Sequence, residues 1–102
     1  MSYQFGLAEE DINKINSVFS KYPDITKVII YGSRAKGDFK ASSDIDLSLV
    51  TERKDVSFLF KIENEIDDLL LPYKVDLSIY SLLDNDNLKD HINRIGQVFF
   101  KR

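Results

Sequence analysis

Cysteine is absent from this chain, which excludes disulfides and thiolate metal centres and fits a reducing cytosol. No stretch approaches the roughly 20 consecutive apolar residues that span a bilayer. The opening segment, Met1 to Asp11, has neither a basic start nor a long apolar core, so no export leader is expected and the protein is read as soluble, cytoplasmic and independent of membranes. A cationic excess is missing too: 14 Lys and Arg face 17 Asp and Glu, a net charge of −3. Generic attraction to polyanions needs that excess, so direct nucleic-acid binding is disfavoured. The length of 102 residues suits one domain, residues 1–102, with one core. No linker, low-complexity tract, internal repeat, histidine-rich run or Walker-type phosphate signature occurs.

What is present is an orderly alternation of patterns. Leu7, Ile12, Ile15, Phe19 and Tyr22 recur at helical steps, which predicts a helix over 7–22 ended by Pro23-Asp24. The run from Thr26 to Tyr31 is β-branched and aromatic with apolar groups on both faces, as in a central strand covered on two sides. Residues 33–43 are polar and read as a short helical turn and a loop. From Asp44 to Val50 the residues alternate, Ile45, Leu47 and Leu49 one way and Asp44, Asp46, Ser48 and Val50 the other. Leu59, Ile62, Ile66 and Leu69 or Leu70 mark a helix over 56–71 stopped by Pro72. Lys74 to Tyr80 repeats the strand wording, with Val75, Leu77 and Ile79 inward. Asp84 is a plausible N-cap for a last helix bearing Leu88, Ile92 and Ile95, with Gly96 as its stop. The closing residues 98–102 suit either a short strand or a packed tail. The order is α-β-α-β-α-β-α, an α/β chain of the mixed α+β kind, in which a small mixed β-sheet is flanked by helices.

Two of these strands bring chemistry together. Gly32-Ser33 ends the first strand, and ten residues later Asp44-Ile45-Asp46 opens the second. Strands separated by a helical crossover run parallel, so Asp46-Leu47-Ser48-Leu49 and Asp76-Leu77-Ser78-Ile79 can lie side by side with Asp46 near Asp76. An antiparallel first strand then delivers Gly32 and Ser33 to the same rim. Two negative charges about 5 Å apart repel by roughly 3 kcal/mol at an effective dielectric near 20. Three carboxylates therefore call for compensation by a divalent cation, by shared protons, or by basic neighbours such as Arg34, Lys36 or Lys74. A glycine turn after an apolar strand offers backbone N–H groups to phosphate oxygens. Carboxylate oxygens suit Mg²⁺, which is usually held by one or two of them together with substrate phosphates. The combination is a means of holding a nucleoside triphosphate.

At these residues the chain resembles the nucleotidyltransferase superfamily related to DNA polymerase beta, whose pattern is Gly-Ser, ten residues, Asp-X-Asp and a third acid on a later strand. In its short length it is similar to the minimal branch, the MNT-type antitoxins paired with HEPN toxins. The resemblance covers nearly the whole chain and implies the nucleotidyltransferase fold, Mg²⁺ as cofactor with two ions, and ATP as co-substrate. It further implies AMP transfer to a hydroxyl, that of a tyrosine in a partner HEPN toxin. Carried over by position, Gly32 and Ser33 contact the triphosphate, Asp44 and Asp46 bind both metals, and Asp76 binds the metal beside the acceptor and assists its deprotonation. Arg34, counted with Gly32 and Ser33, and Lys36 either steady the β- and γ-phosphates or are solvated. Larger relatives add a domain that holds acceptor or nucleobase; it is absent here, and a partner protein could supply that wall.

Other readings remain beside this one. The chain could neutralise a toxin by contact alone, or transfer the nucleotide to a small molecule or an RNA end, and a homo-oligomer is left open. His91, the one histidine, has no Ser or Cys partner in view and reads as solvated or capping. Glu63, Glu65, Asp67 and Asp68 read as the wet face of a helix. Phe58, Phe60, Phe99 and Phe100 suit either the core or an apolar patch.

Overall fold

The computed structural model describes residues 3–102; Met1 and Ser2, which begin the segment read above as leaderless, lie outside the described residues. A hairpin of β1 (Tyr3–Gln4) and β2 (Leu7–Ala8) comes first, then α1 (Glu9–Ser20), β3 (Ile25–Tyr31), α2 (Ser33–Lys36) and β4 (Ile45–Thr51). These are followed by α3 (Val56–Asp67), β5 (Val75–Ile79), a 3₁₀ turn at Tyr80–Leu82, α4 (Asp86–Ile95) and β6 (Gln97–Lys101). The main sheet has the order β5-β4-β3-β6. β3 is antiparallel to both β4 and β6, whereas β4 and β5 are parallel across the α3 crossover. This is the expected mixed sheet.

The alternation along β4 decides which face is dry. Ile45, Leu47 and Leu49 are fully buried, each such side chain contributing roughly 1.5–3 kcal/mol by leaving water. They join Val28 and Ile30 of β3, Ile15 and Phe19 of α1, and Phe58, Ile62 and Ile66 of α3 in one core cluster. Ile25 and Val28 both reach this core although three positions apart, because the register with β4 slips between Ile25 and Lys27. The second face of β3 is covered less than its composition suggests. Lys27 is exposed, and Ile29 and Tyr31 are half-buried beneath α4. That half-open face carries the candidate site.

Several boundaries differ from the sequence expectation. Leu7 belongs to a hairpin whose turn residues Phe5 and Gly6 both have positive φ, 57° and 73°, the geometry of a type I′ turn. Phenylalanine at its first position hides the usual Asn-Gly signal. The helix after Val56 ends at Asp67, four residues short of Leu71, and Leu70 turns left-handed with φ 55° and points to solvent. Asn85 rather than Asp84 caps α4, its Oδ1 accepting from the Leu88 N–H at 3.1 Å. The tail is a strand: β6 pairs with β3, and the Arg102 guanidinium donates to the carbonyls of Ile25, Phe19 and Tyr22. The order α-β-α-β-α-β-α thus lacks the opening hairpin and the closing strand. No helix among the described residues is long and apolar enough to cross a membrane.

Candidate functional site

β3 delivers Gly32 to the rim where β4 and β5 begin. Tyr31 is the register partner of Asp46 on one side of β4, and Asp76 is its partner on the other. Gly32 has φ 76° and ψ −156°, and a Cβ built there would overlap the Asp46 carboxylate. Glycine is therefore required twice, by conformation and by the close approach of an acid. Ser33 opens the short α2, whose first amides have no acceptor within the helix, and Gly37 closes it in the left-handed conformation with its N–H on the Ser33 carbonyl.

The electrostatics agree with the crowding. Burial raises the Asp46 pKa above its ordinary 3.8, and the negative charges of Asp76 and Asp44 raise it further, against opposing pulls from His91 and Lys74. Asp46 and Asp76 meet as register partners, and Asp44 lies close enough to Asp46 to repel it. Among the described residues no three acids, histidines or cysteines form a preformed metal cage. The donor set fits Mg²⁺ all the same, because that ion needs only one or two carboxylates when phosphate oxygens complete its shell.

Beneath the acids lies a polar floor. Ser48 is fully buried, and Ser78, its register partner, donates to its hydroxyl at 3.0 Å. The Tyr31 side chain reaches across β4 to Ser78; burial raises its pKa above 10.0, the Ser78 bond lowers it, and Asp46 and Asp76 raise it again. Alternation had placed Ser48 and Ser78 with the acids. Tyr31 shares their face but passed as an ordinary strand residue.

Arg34 is turned into the protein, with its donors spent on backbone carbonyls. Only 2% exposed, it donates through Nη1 to the Phe5 carbonyl at 2.8 Å, through Nε and Nη2 to Ser43 at 3.1 and 2.9 Å, and through Nη2 to Ala41 at 3.3 Å. The rings of Phe39 and Tyr73 lie 5.3 and 5.1 Å from its Cζ. The expectation that it steadies phosphates is corrected: a buried cation must satisfy its donors, and Arg34 does so by pinning the loop before Asp44 to the hairpin turn. Lys36 remains exposed, 3.7 Å from Asp38. His91, read as solvated or capping, is half-buried at the rim, where its Nε2 accepts from the Gly32 N–H at 3.3 Å. No local pattern marks it, since only the packing of α4 across the sheet brings it there. Glu63 is likewise half-buried rather than wet, its pKa raised by burial, Asp67 and Asp76. It lines a cleft of about 330 Å³ with Asp67, Tyr73, Lys74 and Asp76. Phe58 and Phe99 are core, whereas Phe60 is exposed.

A mixed sheet in which β3 runs through glycine into a short helix, with acids on the adjoining β4 and β5 at the same rim, defines an enzyme of the nucleotidyl-transferring class. The chain belongs to the polymerase beta nucleotidyltransferase family, whose sequence pattern matches residues 13–102. Among solved structures it is similar to a toxin-antitoxin complex with AMP-PNP, at 19% identity and a TM-score of 0.73, over 89% of this chain and 73% of that one. A structure of tri-AMPylated Shewanella oneidensis HEPN toxin with MNT antitoxin aligns at 17% identity and a TM-score of 0.68, over 92% of this chain and 72% of that one. The MntA-HepT toxin-antitoxin structure gives 16% and 0.68, over 93% and 74% of the two chains. No curated protein matches the chain in sequence.

Proposed function

We propose that this chain is an ATP- and Mg²⁺-dependent nucleotidyltransferase that places AMP on a tyrosine hydroxyl of a partner HEPN-type toxin in the cytoplasm. The observation that carries the reading is the contact between Gly32 and the Asp46 carboxylate, with Asp76 as the register partner of that acid. It sets a turn able to face phosphates directly against acids able to face a cation. The AMP-PNP and tri-AMPylated toxin complexes named above support the choice of nucleotide and acceptor.

In this reading Ser33 holds the triphosphate through its own polar groups, Gly32 shapes the turn and lets the phosphates approach closely because it has no side chain, and Asp44, Asp46 and Asp76 would hold Mg²⁺. Mg²⁺ held there would neutralise phosphate charge and polarise the α-phosphorus. Asp76 takes the proton of the acceptor hydroxyl as its oxygen bonds to the α-phosphorus, and the bond from that phosphorus to the departing pyrophosphate breaks. The acids and the turn act by position and charge, with no covalent intermediate on the protein. The cleft beside Asp76, lined by Glu63, Asp67 and Tyr73, gives the acceptor side its opening, and the partner forms a further wall of it.

The test incubates the protein with Mg²⁺, ATP labelled in its α-phosphate, and a HEPN-type protein encoded beside it. A labelled partner and released pyrophosphate are expected, with both lost in Asp44→Asn/Asp46→Asn. An unlabelled partner across Mg²⁺ and Mn²⁺ would count against transfer. Full toxin neutralisation by the double variant would replace transfer with simple binding.

A further inference from the structure

The Gly32 amide lies just beyond both ladders of β3, which end at Tyr31 opposite Asp46 and at Ile30 opposite Gln97. Sheet pairing therefore does not serve it, and a part-buried N–H without an acceptor is costly. His91 serves it from another element, with Nε2 accepting at 3.3 Å. Such an acceptor nitrogen carries no proton, so the ring proton sits on Nδ1. The imidazole stands edge-on to the Tyr31 ring, with centroids 6.2 Å apart and planes at 79°. At the other end of the same residue, the Gly32 carbonyl accepts from the Lys36 N–H at 3.1 Å.

Both backbone polar groups of Gly32 are thus tied, the carbonyl by α2 and the amide by α4. We infer that His91 is a positioning residue for the phosphate-facing turn: by accepting from the Gly32 N–H it holds that glycine in the positive-φ conformation that sets it against the Asp46 carboxylate. The inference rests on the reading of the turn as a nucleotide site, and it gives α4 a task beyond covering the sheet. Without the acceptor, Gly32 is free to sample the wide range of conformations open to glycine, and ordering it again falls on nucleotide binding.

Two substitutions separate the acceptor from the ring. His91→Phe keeps an aromatic edge against Tyr31 and loses the acceptor, while His91→Gln loses the ring and keeps an acceptor of similar reach. Titration calorimetry with ATP in Mg²⁺ should give a Kd about five- to tenfold higher for His91→Phe, without a matching fall in Tm, and recovery in His91→Gln. Amide exchange followed by NMR should show Gly32 protected in the wild type and in His91→Gln but not in His91→Phe. ATP binding by His91→Phe equal to wild type, or His91→Gln as weak as His91→Phe, would overturn the inference. So would a Gly32 amide that exchanges as fast in the wild type as in His91→Phe, whatever ATP does. A wild type that binds no ATP while its Gly32 amide stays protected would instead bring down the nucleotide reading, and the positioning role with it.

Discussion

Single residues at the rim cost the fold stability. Asp46 has a folded pKa above the ordinary 3.8, so its ionised form destabilises the folded protein at neutral pH. That cost is relieved as pH falls through the folded value, because the folded state takes up the proton before the unfolded one does. Asp46→Asn should therefore raise Tm at pH 7 while abolishing transfer, and melts at descending pH should show the gain fading towards 3.8. Gly32→Ala should do harm on both counts. It forces a side chain into φ 76° and against the Asp46 carboxylate, a cost of about 1–3 kcal/mol, and calorimetry should find no ATP binding. Arg34 is a stability residue: Arg34→Lys leaves a charge among carbonyls that one ammonium cannot all reach, and urea titration should show a loss of about 2–4 kcal/mol. Its place in the sequence, next to Gly32-Ser33, suggested phosphate; its burial decided otherwise.

Elements were legible where their periodicity was strict. The alternation through Ile45, Leu47 and Leu49 identified β4 and its dry face, and the matching wording of Asp76 to Ile79 identified its parallel neighbour. Ends of elements were less legible because they depend on turns that tertiary packing stabilises. The type I′ turn at Phe5-Gly6 is anchored by Arg34 from 29 residues away, and the left-handed Leu70 leaves Leu69 and Leu71 free to pack on the core. β6 illustrates the same dependence, since residues 97–101 could pair only once β3 presented an edge. Deleting residues 97–102 should expose that edge and strip the carbonyls that Arg102 serves. The expected result is aggregation seen by size-exclusion chromatography.

For the whole molecule, charge and ligand are linked. Acids gathered at one rim gain most from a cation that arrives with a polyphosphate, so ATP with Mg²⁺ should raise Tm more than either alone. At a hundredfold excess over Kd the stabilisation is about 2.7 kcal/mol. A melting curve unmoved by millimolar ligand would count against the site. The site also sits on the half-open face of the sheet, between α4 and the start of β5. Closing that face with apolar side chains would have strengthened the fold and removed the place proposed for nucleotide and acceptor.

Composition, spacing and alternation determined by themselves that this is a mixed α/β chain with Gly32, Ser33, Asp44, Asp46 and Asp76 on converging segments. Those properties are local: the period of a strand and the direction of a crossover follow from covalent geometry and chirality. Only the tertiary structure decided that Arg34 turns inward, that His91 reaches Gly32 across 59 residues, and that Tyr31 spans β4 to Ser78. A long side chain meets its partner according to which elements pack together, and that depends on the burial of the entire core.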